Sequence, residues 1–561
     1  MNKKFKNILF LFIIISLIFN NIPKMLQMNF LGGPLGDKLA FYPIFIGMIY
    51  TLYCHYRLKN IFIHFDKFIK FILIYVLIVL MSLIIGLYNY PYYDLIINGP
   101  VNQIEKLPKV IDILNNFGIN TDAKILTVLW LIASTIKSVI FEAIYAFGGA
   151  YMIYCWYYND WQSAFKILVK GVLLSLVVVF GYSFIEIFYL AGNEIAKDIL
   201  VKITPYFHEI NNPASQWGTW PPVLWYNLQL RSIFAEPSYF GIFAGFSIPF
   251  LWYCINNFKN KLFFSAIFIV MSFLLFLTQA RTATALLFGE MTLLLLTLVH
   301  FRQKFLLKTI FLIYLSVGIA FCSANYFINN YIDSVPKNDK QTVSISTVVK
   351  NKQKAIKSQT AQTTKVEEKK AINTQKVKLK KSENQKTNIK DSSYLDKNFN
   401  SIFTANQRSN SARYAYIKSA FRVGLDHPIL GVGKGLTAAY MVNYFTDDEK
   451  KVGEVKRRIQ RQNEVGILTA GMPILCEYAR RFAETGIVGC IVYFAPLIYL
   501  LYRLFKKLKN LQYEYLFYMI SLAGILASGF SLEFTGTYYY WVLLGLGYAM
   551  CFGKENKEQD I

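Results

Sequence analysis

The sequence predicts an all-α polytopic membrane protein with about twelve transmembrane helices and one large extracytoplasmic loop. Hydrophobic residues make up 55% of the 561 positions, and aromatic residues make up 17%. Many of them lie in apolar stretches of about 20 residues, the length that an α-helix needs to cross a bilayer. Lysine and arginine concentrate in alternate short loops, as they do in multi-pass proteins. Together these observations exclude a soluble fold.

The first predicted span is the apolar segment Asn7–Phe19, which follows a short basic N-terminus. A signal peptide begins in the same way, but no cleavage site of small residues follows, so we interpret the segment as an uncleaved helix. Lys137 and Glu142 interrupt one later span, and the alternative for 125–134 is a separate interfacial helix. The remaining spans are predicted over 39–56, 67–89, 136–156, 163–190, 232–254, 262–279, 282–300, 306–325, 483–504, 513–530 and 534–552.

The cationic loops predict the orientation of these spans. With the N-terminus inside, Lys259, Arg302 and Arg503 all fall in cytoplasmic loops, as the positive-inside rule requires. Both termini are then cytoplasmic, and we expect a multi-pass membrane protein.

Three regions follow from this topology. Residues 1–325 form an N-terminal bundle of about nine helices, 326–482 form the large extracytoplasmic loop, and 483–561 form the C-terminal helices and a cytoplasmic tail. The loop contains a lysine-rich insertion over 337–397, which carries 16 lysines and 6 acidic residues and has too few apolar residues to fold. It either attracts anionic lipid or wall polymer, or is a solvated insertion without a binding role.

The charge and the cysteines exclude several other classes. The net charge of +25 is explained by cytoplasmic loops and the lysine-rich insertion, so we expect no nucleic-acid partner. The seven cysteines are scattered through apolar stretches without metal-ligand spacing. We therefore expect neither a disulfide framework nor a metal or other cofactor.

The most informative segment is Arg231–Gly241, RSIFAEPSYFG, at the start of a long apolar run. Charges near lipid are costly and usually face protein, water or a ligand. Pro237 suits the first turn of a helix, because its missing N–H group would have no helical partner there. Arg231 and Glu236 therefore indicate a polar pocket rim at a helix start. The alternative is an interfacial ion pair that only anchors the helix.

Further charged motifs fall on the same predicted outer face. Arg281 lies in a tight turn between two spans, and Arg413 opens a helix within the loop. His427–Gly435, HPILGVGKG, is a turn with three glycines, whose backbone N–H groups could cradle a phosphate. Glu484 lies at the start of the next span. Independent anchors would not need to converge on one face, so their convergence favours a binding site.

In their order and spacing, these motifs resemble those of the bacterial O-antigen polymerase/ligase superfamily, which includes Wzy-type polysaccharide polymerases. The matching elements are Arg before Glu-Pro-Ser-x-x-Gly, an Arg-Thr turn, a large outer loop with His-Pro-x-x-Gly-x-Gly, and Ala-Glu-x-Gly-x-x-Gly at the next span. The resemblance covers about 225–325 and 403–553. It implies a GT-C-like fold and glycan transfer from an undecaprenyl-diphosphate carrier at the outer face of the bacterial cytoplasmic (inner) membrane.

The resemblance also implies the partners and the product. The substrate would be an undecaprenyl-diphosphate-linked glycan held in membrane lipid, and the product would be O-antigen, capsule or exopolysaccharide. A chain-length regulator and a flippase are the candidate protein partners.

The residues have roles that suit this chemistry. Arg231, Arg281 and Arg413 are candidates to bind the diphosphate, with Arg408 and Arg422 behind them, because a guanidinium binds phosphate oxygens bidentately and stays charged. They would stabilise the charge that develops on the leaving group.

A base that accepts the proton of the attacking sugar hydroxyl would speed the transfer. Glu236, His427 and Glu484 are the candidates for this catalytic role. Each has a structural alternative: Glu236 holds Arg231, His427 caps a turn, and Glu484 complements a helix dipole.

Three activities remain open on the sequence. Ligases of the superfamily typically carry a His-Asn pair shortly before the last Gly-x-x-Gly, whereas this chain has Leu475 and Cys476, which favours a polymerase. A ligase would transfer finished glycan to a lipid or protein acceptor. A flippase for lipid-linked units would need charges along a central cavity, whereas the predicted cations gather at the outer rim.

Overall fold

The computed structural model describes residues 2–19, 22–23, 26–27, 38–58, 65–99, 103–104, 107–119, 122–208, 221–225, 228–301, 306–332, 408–508 and 512–553. Within these ranges, the regular secondary structure is entirely helical, which confirms the predicted all-α class. The lysine-rich insertion predicted over 337–397 lies outside the described residues.

Residues 3–327 form thirteen α-helices within the described ranges. They are α1 (Lys3–Ser16), α2 (Phe41–Leu58), α3 (Phe65–Tyr88), α4 (Tyr93–Ile97), α5 (Leu107–Asn116), α6 (Ala123–Phe141), α7 (Gly149–Tyr157), α8 (Trp161–Leu190), α9 (Glu194–Ile203), α10 (Pro237–Asn257), α11 (Lys261–Leu277), α12 (Arg281–Phe301) and α13 (Leu306–Phe327).

The described part of the loop and the C-terminal segment add nine helices. They are α14 (Arg408–Asp426), α15 (Thr437–Tyr444), α16 (Asp447–Lys451), α17 (Gly453–Val465), α18 (Ile467–Ala470), α19 (Glu477–Leu508), α20 (Tyr513–Ser528), α21 (Phe534–Thr537) and α22 (Tyr539–Phe552).

The chain is a multi-pass membrane protein, because seven of the described helical segments are long and apolar enough to cross a bilayer. The helices α11, α20 and α22 are apolar but shorter. The predicted multi-pass class is therefore confirmed, whereas the predicted number of about twelve spans stays a prediction. The seven segments are Lys70–Tyr88, Ala123–Tyr157, Trp161–Leu190, Pro237–Asn257, Arg281–His300, Leu306–Ile332 and Glu477–Leu508.

The segment Ala123–Tyr157 is one continuous 35-residue helix and does not contain a separate interfacial piece. A π-helical stretch, Glu142–Gly148, joins α6 to α7. Such π-helical turns inside α-helices occur frequently at functional sites. Here the stretch carries Glu142, whose carboxylate reaches a polar cavity, so the charges that interrupt the apolar pattern have a structural reason.

Helix α10 lies at the centre of the bundle and packs against α11, α12 and α20. In the apolar 18-residue stretch of this helix, 83% of the residues are buried inside the protein. The helix begins at Pro237, as the sequence predicts, after Glu236 in extended conformation. Both Glu236 and Arg281, the first residue of α12, are thereby placed at the starts of neighbouring helices.

The described loop residues pack against α3 and α19 through a glycine-rich turn. Gly431, Gly433 and Gly435 all have positive φ angles. Within this turn, the N–H of Val432 donates to the carbonyl of Ala483 at 2.9 Å. The helix α19 is broken there at Gly486, which has a φ of 61° that a glycine adopts without strain. A Cβ at Gly486 would overlap the backbone of Ile429.

Candidate functional site

A polar cavity of about 480 Å³ lies between α6, α19 and the segment before α21. Its lining includes five cationic side chains and two carboxylates, so it carries an excess of positive charge. Such a concave, cationic surface concentrates anions. The charged lining residues are Lys38, Lys137, Lys434, Arg480, Arg481, Glu142 and Glu533.

Arg481 is the most constrained of these cations, with only 2% of its surface exposed. Its guanidinium donates to Glu477 at 2.8 Å, to Glu142 at 2.5 Å and to the Tyr75 hydroxyl at 2.6 Å. The ring of Tyr493 lies 4.2 Å from its Cζ, so a cation–π contact adds to the hydrogen bonds. These contacts fix the position of Arg481 before any ligand arrives.

Lys434 reaches the cavity from the glycine-rich turn and forms an ion pair with Glu142. Both side chains are buried, at 5% and 8% exposure. The carboxylate of Glu142 therefore bridges Lys434 of the loop and Arg481 of α19. A buried carboxylate needs such partners, because desolvation of an unpaired charge is costly.

Arg480 forms a second ionic group beside the first one. It donates to Glu484 at 3.1 Å and pairs with Glu533. Glu484 is 2% exposed, and its Oε2 atom has no hydrogen-bond partner among the described residues. Arg480 thus connects one predicted catalytic residue, Glu484, to the cavity lining.

Lys137 differs from the other cations of the cavity because its side chain forms neither an ion pair nor a hydrogen bond among the described residues. Its side chain is exposed in the cavity region. Lys38, at another part of the lining, donates to the carbonyl of Thr535. Lys137 is therefore the cavity cation whose charge is most available to a ligand.

The structure places three predicted site residues, Glu236, Arg281 and Arg413, in one region of electrostatic interaction. The charge of Arg413 acts on Arg281, and the charges of Glu236, Arg413 and Glu533 all act on Tyr239. Among the described residues, neither arginine has a hydrogen-bonded or ion-paired partner. Two unpaired guanidinium groups in mutual range repel each other, so an anion between them would be favourable.

Glu533 joins this group to the cavity, because the same carboxylate pairs with Arg480. The Oε2 atom of Glu236 accepts a hydrogen bond from the Ser238 hydroxyl at 3.0 Å. Glu236 is half-buried and keeps access to solvent.

Arg231 is buried and lines no part of the cavity. Its guanidinium donates to the backbone carbonyls of Pro222 at 2.7 Å and Val223 at 2.8 Å. The carboxylate of Glu186 accepts from the backbone N–H of Arg231 at 3.2 Å. Burial lowers the pKa of Arg231. Its hydrogen-bonding groups are thus used by the loop that precedes α10.

His208 lies near Arg231 and is also buried. Burial, assisted by the charge of Arg231, lowers the pKa of His208 to about 3. The imidazole is therefore neutral throughout the physiological range.

His427 and Arg422 lie in the described loop and line no part of the cavity. The imidazole of His427 packs edge-to-face on Tyr440 with ring centroids 5.6 Å apart. Arg422 forms a bidentate ion pair with Glu449 at 2.6 and 3.0 Å. The described structure includes Arg408 as the first residue of α14, but its side chain lies outside the described part.

Most cavity cations were missed as site residues on the sequence, although weak signals existed for them. Lys137 and Glu142 interrupt an apolar span, and Arg480 and Arg481 precede another. Lys434 stands within the glycine-rich turn. Only the packing of α6 against the loop and α19 brings them together.

Residues 266–494 match the Wzy_C family model, which is described as O-Antigen ligase. The chain carries a Wzy_C O-antigen ligase domain. This domain includes Arg281, Arg413, Lys434, Arg480 and Arg481, so it supplies most of the cations of the cavity and its surroundings. Neither the curated proteins nor the solved structures include a match to this chain.

The match confirms the resemblance found in the sequence. The matched domain indicates a glycan-transferring enzyme of bacterial membranes. Glu142 and Glu533 lie outside the matched residues, so the domain and the flanking helices build the cavity jointly.

Proposed function

We propose that this protein polymerises undecaprenyl-diphosphate-linked oligosaccharide repeat units into surface polysaccharide at the outer face of the cytoplasmic membrane. The observation that carries the proposal is the cationic cavity, to which the Wzy_C O-antigen ligase domain contributes Lys434, Arg480 and Arg481. In this proposal the enzyme is a metal-independent glycosyltransferase with a GT-C-like fold. The product is O-antigen, capsule or exopolysaccharide.

The charge distribution suits a lipid diphosphate as the leaving group. Lys137 and the arginines Arg281 and Arg413 have no ion-pair partner among the described residues, so they can pair with phosphate oxygens. Arg480 and Arg481 are held by carboxylates and supply a fixed positive field. Preorganised cations stabilise charge that develops in the transition state, because they need no reorganisation during the reaction.

In the reaction, an acceptor sugar hydroxyl attacks the anomeric carbon of the donor glycan. A new glycosidic bond forms, the bond from that carbon to the phosphate oxygen breaks, and the diphosphate leaves with the electron pair. We assign proton acceptance to Glu236, because its carboxylate is half-exposed and lies beside Tyr239 near Arg413. Glu484 is buried against Arg480 and positions that cation.

The polymerase assignment is supported by Leu475 and Cys476, which replace the His-Asn pair typical of the ligases. The second candidate is ligation of finished glycan to a lipid or protein acceptor, which the description of the matched family favours. Purified protein in nanodiscs, given only lipid-linked repeat units, distinguishes the two. A polymerase makes a ladder on the carrier lipid, whereas a ligase without its acceptor leaves the units unchanged.

The same assay tests the site. Arg281→Ala and Lys137→Ala are expected to reduce ladder formation at least tenfold, because each removes a charged contact to phosphate worth about 1.5–3 kcal/mol. Lys202→Ala, which removes an exposed cation of α9 outside the cavity, is the matched control and keeps wild-type activity. Equal activity of all three variants would remove the cavity from the proposal.

We further propose that both termini are cytoplasmic and that a flippase and a chain-length regulator act with the enzyme. A periplasmic reporter fused after Ile561 should be inactive, whereas the same reporter inserted after Asp448, an exposed loop residue, should be active. The reverse pattern would invert the proposed orientation.

A further inference from the structure

Glu290 is a buried carboxyl group that the proposed reaction does not use. It is the tenth residue of the 21-residue helix α12, about 14 Å along the axis from Arg281 at 1.5 Å per residue. Only 3% of its surface is exposed. Among the described residues, neither Oε1 nor Oε2 has a hydrogen-bond partner, and Glu290 forms no ion pair.

An ionised carboxylate in this position would be expensive. Charged residues inside a membrane bundle normally pair with each other, with backbone groups or with water. No charged side chain of the described residues acts on Glu290. Without a cation, the carboxyl group avoids the cost of desolvation by keeping its proton. A protonated carboxyl group is also a hydrogen-bond donor, and it then needs an acceptor.

The neighbouring helix α10 contains a candidate acceptor. Pro249 lies inside α10 and has no N–H group, so it cannot donate to the carbonyl of Gly245 four residues earlier. A Cβ at Gly245 would lie 3.3 Å from Glu290 Oε1. The segment of α10 whose hydrogen bonding Pro249 interrupts therefore lies against the carboxyl group of Glu290.

Helix α20 leaves room for this contact at Gly524. A Cβ at that position would overlap Glu290 Oε1 and would lie 3.1 Å from the Gly245 carbonyl oxygen. Both oxygens thus converge on the space beside Gly524. One turn earlier in α20, the Ser521 hydroxyl donates to the carbonyl of Phe246 at 2.8 Å. The three helices meet where Pro249 interrupts the hydrogen bonding of α10.

We propose that Glu290 is a proton-binding site within the membrane, where its carboxylic acid donates a hydrogen bond to the Gly245 carbonyl. This bond replaces the one that Pro249 removes and joins α12 to α10. Arg281 begins α12 and Glu236 directly precedes α10. Glu290 is thus a positioning residue that sets these two site residues relative to each other, a role that rests on the proposed function.

Infrared spectroscopy of the full chain in nanodiscs tests the protonation directly. The wild type minus Glu290→Gln difference spectrum at neutral pH is expected to contain the carbonyl stretch of a protonated carboxylic acid, and the band should shift in D₂O. A difference spectrum with only the bands of an ionised carboxylate would overturn the proposal. This readout needs no glycan, so it is independent of whether the protein is a polymerase.

A double-mutant cycle tests the acceptor. Glu290→Met should lower the equilibrium constant for folding about fivefold in reversible SDS unfolding, the value of one typical hydrogen bond. Glu290→Gln keeps a donor and should stay within about twofold of the wild type. Pro249→Ala restores the N–H group for Gly245, so Glu290→Met should cost less than about twofold in that background. Equal costs in both backgrounds would show that Gly245 is not the acceptor.

If the positioning role is correct, Glu290→Gln keeps the wild-type ladder of glycan products, and Glu290→Met shortens it even where the folded fraction is matched. Unchanged activity of folded Glu290→Met protein would refute the positioning role. The spectroscopic result would stand separately, because it reports only on the proton.

Discussion

Replacing Glu142 with glutamine tests the ionic group that shapes the cavity. The carboxylate pairs with Lys434 and with Arg481, and all three side chains are buried. Arg481 keeps Glu477 in the variant, whereas Lys434 loses the carboxylate that pairs with it in the described structure. Removal of one partner from a buried ion pair typically costs 3–5 kcal/mol. Because the cavity can hydrate the freed ammonium group, we expect a loss of about 3 kcal/mol, which is about 140-fold in the unfolding equilibrium.

Reversible unfolding in SDS, followed by tryptophan fluorescence, measures this loss. The double variant Glu142→Gln with Lys434→Met should recover most of it, since no unpaired buried charge then remains. Glu194→Gln is the matched control, because Glu194 forms an exposed pair with Lys197 at 2.7 Å and such pairs contribute at most about 1 kcal/mol. If Glu142→Gln costs no more than this control, or if Lys434→Met does not rescue it, the buried pair does not contribute as argued.

Three further variants test other parts of the account. Arg413→Ala should reduce glycan transfer at least tenfold, by analogy with a lost charged hydrogen bond of about 1.5–3 kcal/mol. The temperature of thermal unfolding should stay within about 2 °C of the wild type, because this arginine forms no hydrogen bond or ion pair among the described residues. A large loss of stability would contradict this expectation. Arg422→Ala should lower the stability of the described loop, because it removes the ion pair with Glu449. The variant should also lose a pH dependence: burial opposes ionisation of Glu449, but hydrogen bonds from Arg422 and Thr446 lower the pKa of Glu449. The stability that the pair contributes is present above the unfolded pKa of about 4.3 and is lost as the pH falls through the lower folded pKa. A wild-type melting temperature that does not change across this pH range would refute the contribution of the pair. Gly486→Ala should lower both stability and activity, because the residue has a φ of 61° and a Cβ would overlap the Ile429 backbone. We expect a loss of stability of at least about 1 kcal/mol. An unchanged melting temperature would contradict the packing of the glycine-rich turn on α19.

The amino-acid pattern predicts the all-α membrane class because long apolar stretches have few other solutions. It also predicts the start of α10 at Pro237 and the proximity of Arg281 and Arg413. Their proximity follows from topology, because two successive spans, α12 and α13, return the chain to the side on which α12 begins, and the loop with Arg413 follows there. The orientation itself, the number of spans and the division into three regions stay predictions.

The cavity could not be predicted, because its charged residues come from segments far apart in the chain. Lys137 and Glu142 look like defects in an apolar span until the loop brings Lys434 against them. The structure makes Glu142 a bridge between the loop and α19.

Arg231, in contrast, was predicted as a site residue but does not line the cavity. An arginine before Glu-Pro-Ser suggests a ligand site, yet its guanidinium donates to loop carbonyls, which no sequence pattern identifies as acceptors. Its role in binding diphosphate stays a prediction.

The affinity of purified protein for undecaprenyl diphosphate is the most direct test of the cationic cavity as the donor site. Binding should be measured in nanodiscs for the wild type, for Lys137→Ala and for the control Lys202→Ala. We expect the first variant to bind at least tenfold more weakly, because it loses an unpaired cavity cation, and we expect the control to match the wild type. Equal affinities for all three proteins would contradict the assignment of the cavity to the lipid diphosphate.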